Sequence, residues 1–392
     1  MSEEILIVSN YYPPEKGAAA NRIEQMALKL SEYYSVSVIC PLGNYPEGKL
    51  FAEYRGKFSA TEIQNGVTVK RLWIYPSNSK NIAKRILSIL SFSSVLFFRL
   101  LLGKLPKKAI VQSPPLLLSF IAVLTLSIRR RKIILNISDL WPMAALELKV
   151  MQHGALSHKF ALFLEKFIYR NADVILGQSK EILTHVREIV PSKNCHLYRN
   201  FPDHTEAFAF TETDGKIRLF YAGLLGVAQG VLESCQRMDL AGTNIEFHIF
   251  GNGAEKAEIE SYIAKHPEKN IVFHGMVDRK ALHKKLEGFD IAYVPLATRI
   301  YGSVPSKIFE YSALGMPILY FGGGEGEDIV RESNLGWVAE VENFDQLNSI
   351  LKSISESGKT ALVPMKKQVL ESAKRNFNLD VQLKALISEG IF

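Results

Sequence analysis

The chain has 392 residues, 47% of them apolar and 22% charged, which is ordinary content for substantial cores and favours two domains over one. Its three cysteines, Cys40, Cys195 and Cys235, lie far apart, which excludes a disulfide framework or a cysteine metal site and makes a reducing cytosol the expectation. A net charge of +7 calls for an anionic partner (phosphate, nucleic acid or an acidic membrane surface), and the acidic start Met1-Ser-Glu-Glu does not read as a cleavable signal.

Ile5-Leu-Ile-Val-Ser9 is a continuous apolar run, suited to a parallel strand covered on both faces. The loop Asn10-Tyr-Tyr-Pro-Pro-Glu-Lys-Gly-Ala-Ala-Ala20 follows, and helical spacing from Asn21 runs through Ile23, Met26, Ala27 and Leu30 to a second strand, Val36-Ser-Val-Ile-Cys40. This is the strand–loop–helix–strand unit of a doubly wound sheet. With Gly17 as its one glycine, the loop is either a ligand-facing turn or a plain connection.

From Ile86 to Leu102 the chain is apolar except for four serines and Arg99. At about 100° per residue, Lys84, Ser88, Ser91, Ser94 and Arg99 gather on one side. Arg85, Lys104, Lys107 and Lys108 flank the run. A span needs about 20 apolar residues; this stretch reads as shorter and polar-striped, so an interfacial helix on acidic lipid is expected, with a helix buried against the sheet as the alternative. The apolar helix Leu116–Ile128 is expected in the core.

Ile133-Ile-Leu-Asn-Ile137 reads as a buried strand, with Ser138-Asp139-Leu-Trp141-Pro142 at its carboxyl end, where open α/β sheets bind ligands. Asp139 there either orients an acceptor hydroxyl or caps the helix that starts near Met143. Residues 204–215 are polar and aperiodic, a linker. Beyond it, the strand from Ile217 ends in the glycine-rich turn Gly223-Leu-Leu-Gly226-Val-Ala-Gln-Gly230, expected to enter a helix whose dipole backs a phosphate. Ile271-Val-Phe-His-Gly275 is a strand that exits at Met276.

Ile291-Ala-Tyr-Val-Pro295 is a strand, and Gly302-Ser-Val-Pro-Ser-Lys-Ile-Phe-Glu-Tyr-Ser-Ala-Leu-Gly-Met-Pro317 follows it. Pro305, Ser306 and Lys307 open a helix that Gly315 and Pro317 stop, with Ser306 as the expected N-cap. Lys307 adds a cation to that helix end, and Glu310 one turn later can accept two hydrogen bonds from vicinal hydroxyls. The bland alternative is a surface helix with ordinary charges. A helix from Val369 to Ile391 closes the chain.

This stretch resembles the donor-binding segment of glycosyltransferase family 4, and is most similar to members that attach amino sugars in bacterial O-antigen and capsule assembly. The resemblance extends over nearly the whole chain, with residues 302–317 and Asp139-Leu-Trp-Pro142 its most specific pieces. It implies an α/β, GT-B architecture: two Rossmann-like doubly wound domains facing across a cleft. Residues 1–203 would bind the acceptor and 204–370 the nucleotide sugar, while a helix over 371–392 crosses back. The implied activity is retaining, metal-independent transfer of an N-acetylated amino or deoxyamino sugar from a UDP-sugar to a lipid-linked or saccharide acceptor.

By the same resemblance Asp139 and Lys307 are catalytic, and Gly17, Asn21 and Trp141 line the acceptor side. Gly223, Gly226, Met276, Arg299, Ser303, Pro305, Ser306, Lys307 and Glu310 bind the donor, with Glu310 on its ribose. Five positions depart from the family's pattern. Gly302 stands where many members carry an acid, Ser138 where many carry histidine, Leu224 and Gln229 where basic residues are common, and Ala18 where a second glycine is usual. No Asp-x-Asp pair or His/Cys cluster offers metal spacing, so neither a metal nor a cofactor is expected. The expected partners are a nucleotide sugar, an undecaprenyl-diphosphate-linked saccharide and an anionic membrane surface, not nucleic acid. The expected place is the cytoplasm, peripheral on the inner face of the cell membrane. Two alternatives stay open: a nucleotide-sugar 2-epimerase of similar fold, and a membrane-associated nucleotide-binding adaptor.

Overall fold

A computed structural model describes residues 3–79, 81–202, 207–208 and 215–392. The chain divides into two compact units, one of Met1–Arg199, Tyr301–Ser303 and Asp380–Phe392, the other of Asn200–Ile300 and Val304–Leu379. The expected linker, 204–215, lies outside the described residues except for 207, 208 and 215.

The first unit is built on eight strands: β1 (Glu4–Val8), β2 (Ser35–Pro41), β3 (Ser59–Gln64), β4 (Val67–Leu72), β5 (Lys108–Ser113), β6 (Lys132–Ile137), β7 (Val174–Gly177) and β8 (Asn194–Leu197). Their order is β3-β4-β2-β1-β5-β6-β7-β8. Every pairing is parallel except the β3–β4 hairpin at one edge. Ile5, Leu6, Ile7 and Val8 are all buried, so both faces of β1 are covered, as a central parallel strand requires. The edge strand β3 instead alternates between exposed and half-buried residues. The helices are α1 (Ala18–Ser31), α2 (Ile82–Leu102), α3 (Leu116–Ile128), α4 (Met143–Glu147), α5 (Leu156–Asn171) and α6 (Lys180–Ile189).

Helix α2 differs from its sequence reading in two ways. At 21 residues it is longer than expected, and by length and composition Ala83–Leu102 could cross a membrane. One face, however, is fixed in the core: Phe92, Leu96 and Leu100 are fully buried among residues of α3, α5 and the sheet. The serines of the expected stripe are divided: Ser88 is buried, the Ser91 hydroxyl accepts the Tyr75 N–H at 2.8 Å, and Ser94 is exposed. Ile86, Leu87, Leu90 and Phe98 are exposed as well, the last to 60%.

The second unit holds β9 (Ile217–Leu224), β10 (Ile245–Asn252), β11 (Ile271–Gly275), β12 (Ile291–Pro295), β13 (Ile318–Phe321) and β14 (Gly336–Ala339), all parallel, in the order β11-β10-β9-β12-β13-β14. Its helices are α7 (Val231–Arg237), α8 (Lys256–Lys265), α9 (Arg279–Leu286), α10 (Lys307–Ala313), α11 (Glu325–Glu332), α12 (Phe344–Ser357) and α13 (Leu362–Asn376), and α14 (Leu379–Ser388) follows, all but its first residue in the first unit. The single closing helix expected from Val369 is therefore two. α13 stops where Phe377 turns into an aromatic cluster with Phe309 and Phe201, at centroid distances of 5.0 and 5.5 Å.

The residues from Asp380 onward belong to the first unit. Asp380 pairs with Lys29 at 3.1 Å, and the Gln382 side-chain amide accepts the Arg199 N–H and donates to the Arg199 carbonyl oxygen. Lys108 donates to the Phe392 carbonyl oxygen at 2.8 Å and pairs with Glu3 at 2.9 Å, so this lysine is committed to the fold.

Candidate active site

In each sheet the strand order reverses once, between β1 and β5 and between β9 and β12. Loops leaving the carboxyl ends of such strands diverge and open a crevice for ligands. The residues that the sequence singled out cluster at these two ends, one set in each unit.

In the first unit the loop after β1 is held by Glu15. Its buried carboxylate accepts the N–H groups of Asn44 and Tyr45, both at 3.0 Å, and burial pushes its pKa up. Helix α1 then starts at Ala18, three residues before the expected Asn21, with Gly17 as its N-cap. Asp139 leaves β6 without capping α4, whose N-cap is Pro142. Among the described residues, its hydrogen-bond partner is the Ser138 hydroxyl at 3.3 Å. A buried polar chain lies beneath: Asn136 donates to Gln112 Oε1 at 2.6 Å, and Gln112 Nε2 donates to Ser138 Oγ at 3.0 Å. Gln178 donates to the Ser138 carbonyl oxygen. Burial raises the Asp139 pKa, while the Arg22 charge and the Ser138 hydroxyl favour its ionised form. Trp141 is partly buried beside this strand end.

The segment Tyr301–Ser303, with the Ser303 that the sequence counted in the donor set, belongs to the first unit. Glu147 accepts the Tyr301 N–H at 3.0 Å and Glu181 accepts the Gly302 N–H at 2.7 Å, while Ser179 donates to the Gly302 carbonyl oxygen at 2.8 Å. Gly302 has φ +83°, and a Cβ there would press on Leu140 and Ile182 at about 3 Å. A side chain there is strained by the positive φ and crowded by these neighbours, a physical reason for glycine at this position.

In the second unit β9 ends at Gly223 and the chain after β12 returns as α10. A Cβ on Gly223 would run into the Lys307 ammonium, so glycine is what lets the lysine lie across the strand end. Lys307 Nζ sits over the Tyr221 ring at 4.3 Å and makes no hydrogen bond to a described residue. Burial pulls its pKa down to about 8, with Glu310 acting against the shift. Glu310 follows one turn later on α10.

Three details correct the sequence reading. Ser306 occupies the N-cap position but with helical dihedrals and no side-chain cap bond, so its hydroxyl does not close α10. After Gly226 a short 3-10 turn, Val227–Gln229, intervenes, and α7 starts only at Val231, so no helix dipole stands directly behind Gly226. Leu224 and Val227 point outward there, 64% and 75% exposed. Arg299 lies against the Gly324 backbone at the start of α11, where a Cβ would meet its guanidinium. Pro305 precedes α10, and Met276 is 79% exposed just past β11, ahead of the stacked pair His274–Phe250 at 4.3 Å.

The sequence reading missed Arg22, Gln112, Asn136 and Gln178. Arg22 did leave a signal, since a cation early in a helix opposes the usual preference for acids there. The other three had none, because buried amides on strands carry no periodic mark.

Two parallel-sheet domains with ligand-type loops at both switch points define the GT-B class of α/β fold, and solved structures agree. Sucrose-phosphate synthase from Thermosynechococcus elongatus superposes with a TM-score of 0.73 at 14% identity, covering 99% of both chains. HepE of Anabaena in complex with UDP and glucose gives 0.67 at 12% identity, again over 99% of each. The E. coli trehalose-6-phosphate enzyme bound with UDP-2-fluoro glucose gives 0.70 at 11%, over 99% of this chain and 98% of that one. In sequence, residues 217–356 match the family described as "Glycosyl transferases group 1". Amylovoran biosynthesis glycosyltransferase AmsK of Erwinia amylovora is 24% identical over 166 residues, 41% of this chain. The chain spans about two-fifths, 40%, of the length of that curated relative.

Proposed function

We propose that the chain is a glycosyltransferase that takes its sugar from a UDP-sugar, with the donor on the second unit and the acceptor on the first. The observation that carries this reading is Lys307: an ammonium held against the backbone of a glycine turn, without a hydrogen-bond partner among the described residues, one helical turn before a carboxylate. A buried cation without a partner is costly, and a diphosphate supplies the missing oxygens. Glu310 would take the ribose hydroxyls of the same nucleotide, and the base would meet the exposed turn at Met276. The UDP and UDP-sugar complexes of the fold neighbours and the group 1 match over this unit support the nucleotide assignment.

As the glycosidic bond breaks, charge grows on the departing diphosphate, and Lys307 is placed to stabilise it more in the transition state than in the ground state. Asp139, whose pKa burial raises while Arg22 and the Ser138 hydroxyl act against that rise, would orient the acceptor hydroxyl. The reading includes retention of configuration, no metal, an N-acetylated amino sugar, and an acceptor saccharide carried on a polyprenyl diphosphate. It places the protein in the cytoplasm against the inner face of the membrane. Residues exposed on α2 (Ile86, Leu87, Leu90, Phe98) and on α5 (Leu156, Phe160, Phe163), with Lys84, Arg85, Lys104 and Lys107 nearby in sequence, support that surface.

The test is a panel of UDP-sugars incubated with and without lipid-diphosphate saccharide acceptors. UDP release that depends on acceptor establishes transfer. Interconversion of the sugar nucleotide without acceptor would make the protein an epimerase, and binding without turnover an adaptor.

A further inference from the structure

The first unit contains a cation that the proposed reaction has not yet used. Arg22 stands five residues after the N-cap of the 14-residue helix α1. Its Nε is buried without a hydrogen-bond partner, and no hydrogen bond or ion pair joins its guanidinium to any described residue. Asp139 and Tyr198 act on it only through space, and burial lowers its pKa. The residue as a whole is half-buried, and burying its Nε without an acceptor is unfavourable unless something else supplies one.

The start of α1 is open in the complementary sense. Gly17 provides no side-chain cap, the first turn has no acidic residue, and Ala18 and Ala19 are exposed with only methyl groups to cover their N–H groups. Arg22 is four residues after Ala18 and three after Ala19, hence on the same face of the helix. Helical side chains lean towards the N-terminus, so the Arg22 side chain leans towards the turn that carries those N–H groups. Free helix-start donors and a guanidinium on one face suit a tetrahedral oxyanion. Asp139 repels any anion there, so the ligand must offset that repulsion with many hydrogen bonds. A phosphate or diphosphate presents more oxygens than a carboxylate and can accept from the helix start and from Arg22 together.

We propose that the start of α1 and Arg22 form a phosphate subsite for the acceptor, beside Asp139, which takes the acceptor hydroxyl. The inference rests on the transferase reading and adds to it: the acceptor is recognised through the phosphate that links its saccharide to the carrier. It also separates two diphosphates. That of the donor belongs to Lys307 in the second unit, that of the acceptor to Arg22 in the first.

The experiment uses the full chain, Arg22→Gln and Arg22→Lys. Two acceptors bearing the same saccharide are compared, one on a lipid diphosphate and one on a neutral alkyl glycoside. For Arg22→Gln, KM for the diphosphate acceptor should rise about 10–100-fold, the usual effect of losing a charged hydrogen bond, while the neutral glycoside, which feels only the loss of the Arg22 charge beside Asp139, changes several-fold less and the affinity for UDP stays at the parental value. Arg22→Lys should fall between. Inorganic pyrophosphate should compete with the diphosphate acceptor in the parent and not in Arg22→Gln. Equal losses on both acceptors would overturn the subsite in favour of support for Asp139, and a parallel loss of UDP affinity would assign Arg22 to the donor. If the parent transfers no sugar at all, calorimetry of pyrophosphate against parent and Arg22→Gln still decides. Equal heats for the two would overturn the subsite, and loss confined to the variant would uphold it without the transferase reading.

Discussion

Lys307 joins charge, burial and chemistry in one side chain. Its pKa of about 8 lies below the ordinary lysine value, so the charged form is disfavoured by the fold and is lost as pH rises through 8. For the free enzyme, kcat/KM for the donor should therefore fall on an alkaline limb near pH 8, which Lys307→Arg should abolish; an unchanged limb in that variant assigns it to another group. Lys307→Met should lower turnover by on the order of 100–1,000-fold, with a smaller loss in donor binding, the usual effect of removing one electrostatic partner of a leaving group. Near-parental turnover in a folded Lys307→Met protein would pass the role to Arg299. Glu310→Gln should weaken the donor about 10–100-fold and erase the preference for ribose over 2′-deoxyribose in binding measurements. Retained preference would remove Glu310 from the ribose.

At the scale of the element, α2 presents two apolar faces with opposite duties. Phe92 is fully buried in the first-unit core, and Phe92→Ala should cost about 3–5 kcal/mol in urea unfolding. Phe98 is 60% exposed on the same helix, so Phe98→Ser should leave stability near parental and weaken sedimentation with anionic vesicles. The charged half of the test omits Lys108, which is engaged with Phe392 and Glu3. Changing Lys84, Arg85, Lys104 and Lys107 to glutamine removes about 1 kcal/mol of attraction per residue. Sedimentation equal to the parent in both variants would show that this face does not meet lipid. The register of α2 divides its serines, which the sequence had grouped on one side: Ser91 serves the Tyr75 N–H and Ser88 is buried, while Ser94 is exposed and bonds back to the Leu90 carbonyl oxygen.

For the whole molecule, the two units carry different reporters. Trp73 and Trp141 lie in the first unit and Trp337 on β14 of the second. A nucleotide present at a hundred times its Kd stabilises the unit that binds it by about 2.7 kcal/mol. In Trp73→Phe/Trp141→Phe, UDP should raise the denaturation midpoint followed by Trp337, and in Trp337→Phe the midpoint followed by the other two should move less. A shift visible only through Trp73 and Trp141 would place the nucleotide in the first unit and contradict the proposed division of labour.

The α/β class, strands β1, β2, β6, β9, β11 and β12, the strand ends that bear Asp139 and Gly223, and the helix start at Lys307 were legible in the chain alone, whereas β3, β4, β5 and β8 were not. Continuous apolar runs closed by glycine and proline are local signals, set by neighbours in sequence. Only the tertiary structure decided which face of α2 is core, that Tyr301–Ser303 is tethered by Glu147, Glu181 and Ser179, and that Phe377 divides the closing helix. It also decided that Arg22 lacks a partner and that Gln112 and Asn136 support Ser138. Each of these depends on atoms brought together from distant parts of the chain, where the cost of burying a polar group is set by its partner in space and leaves no periodic trace in sequence.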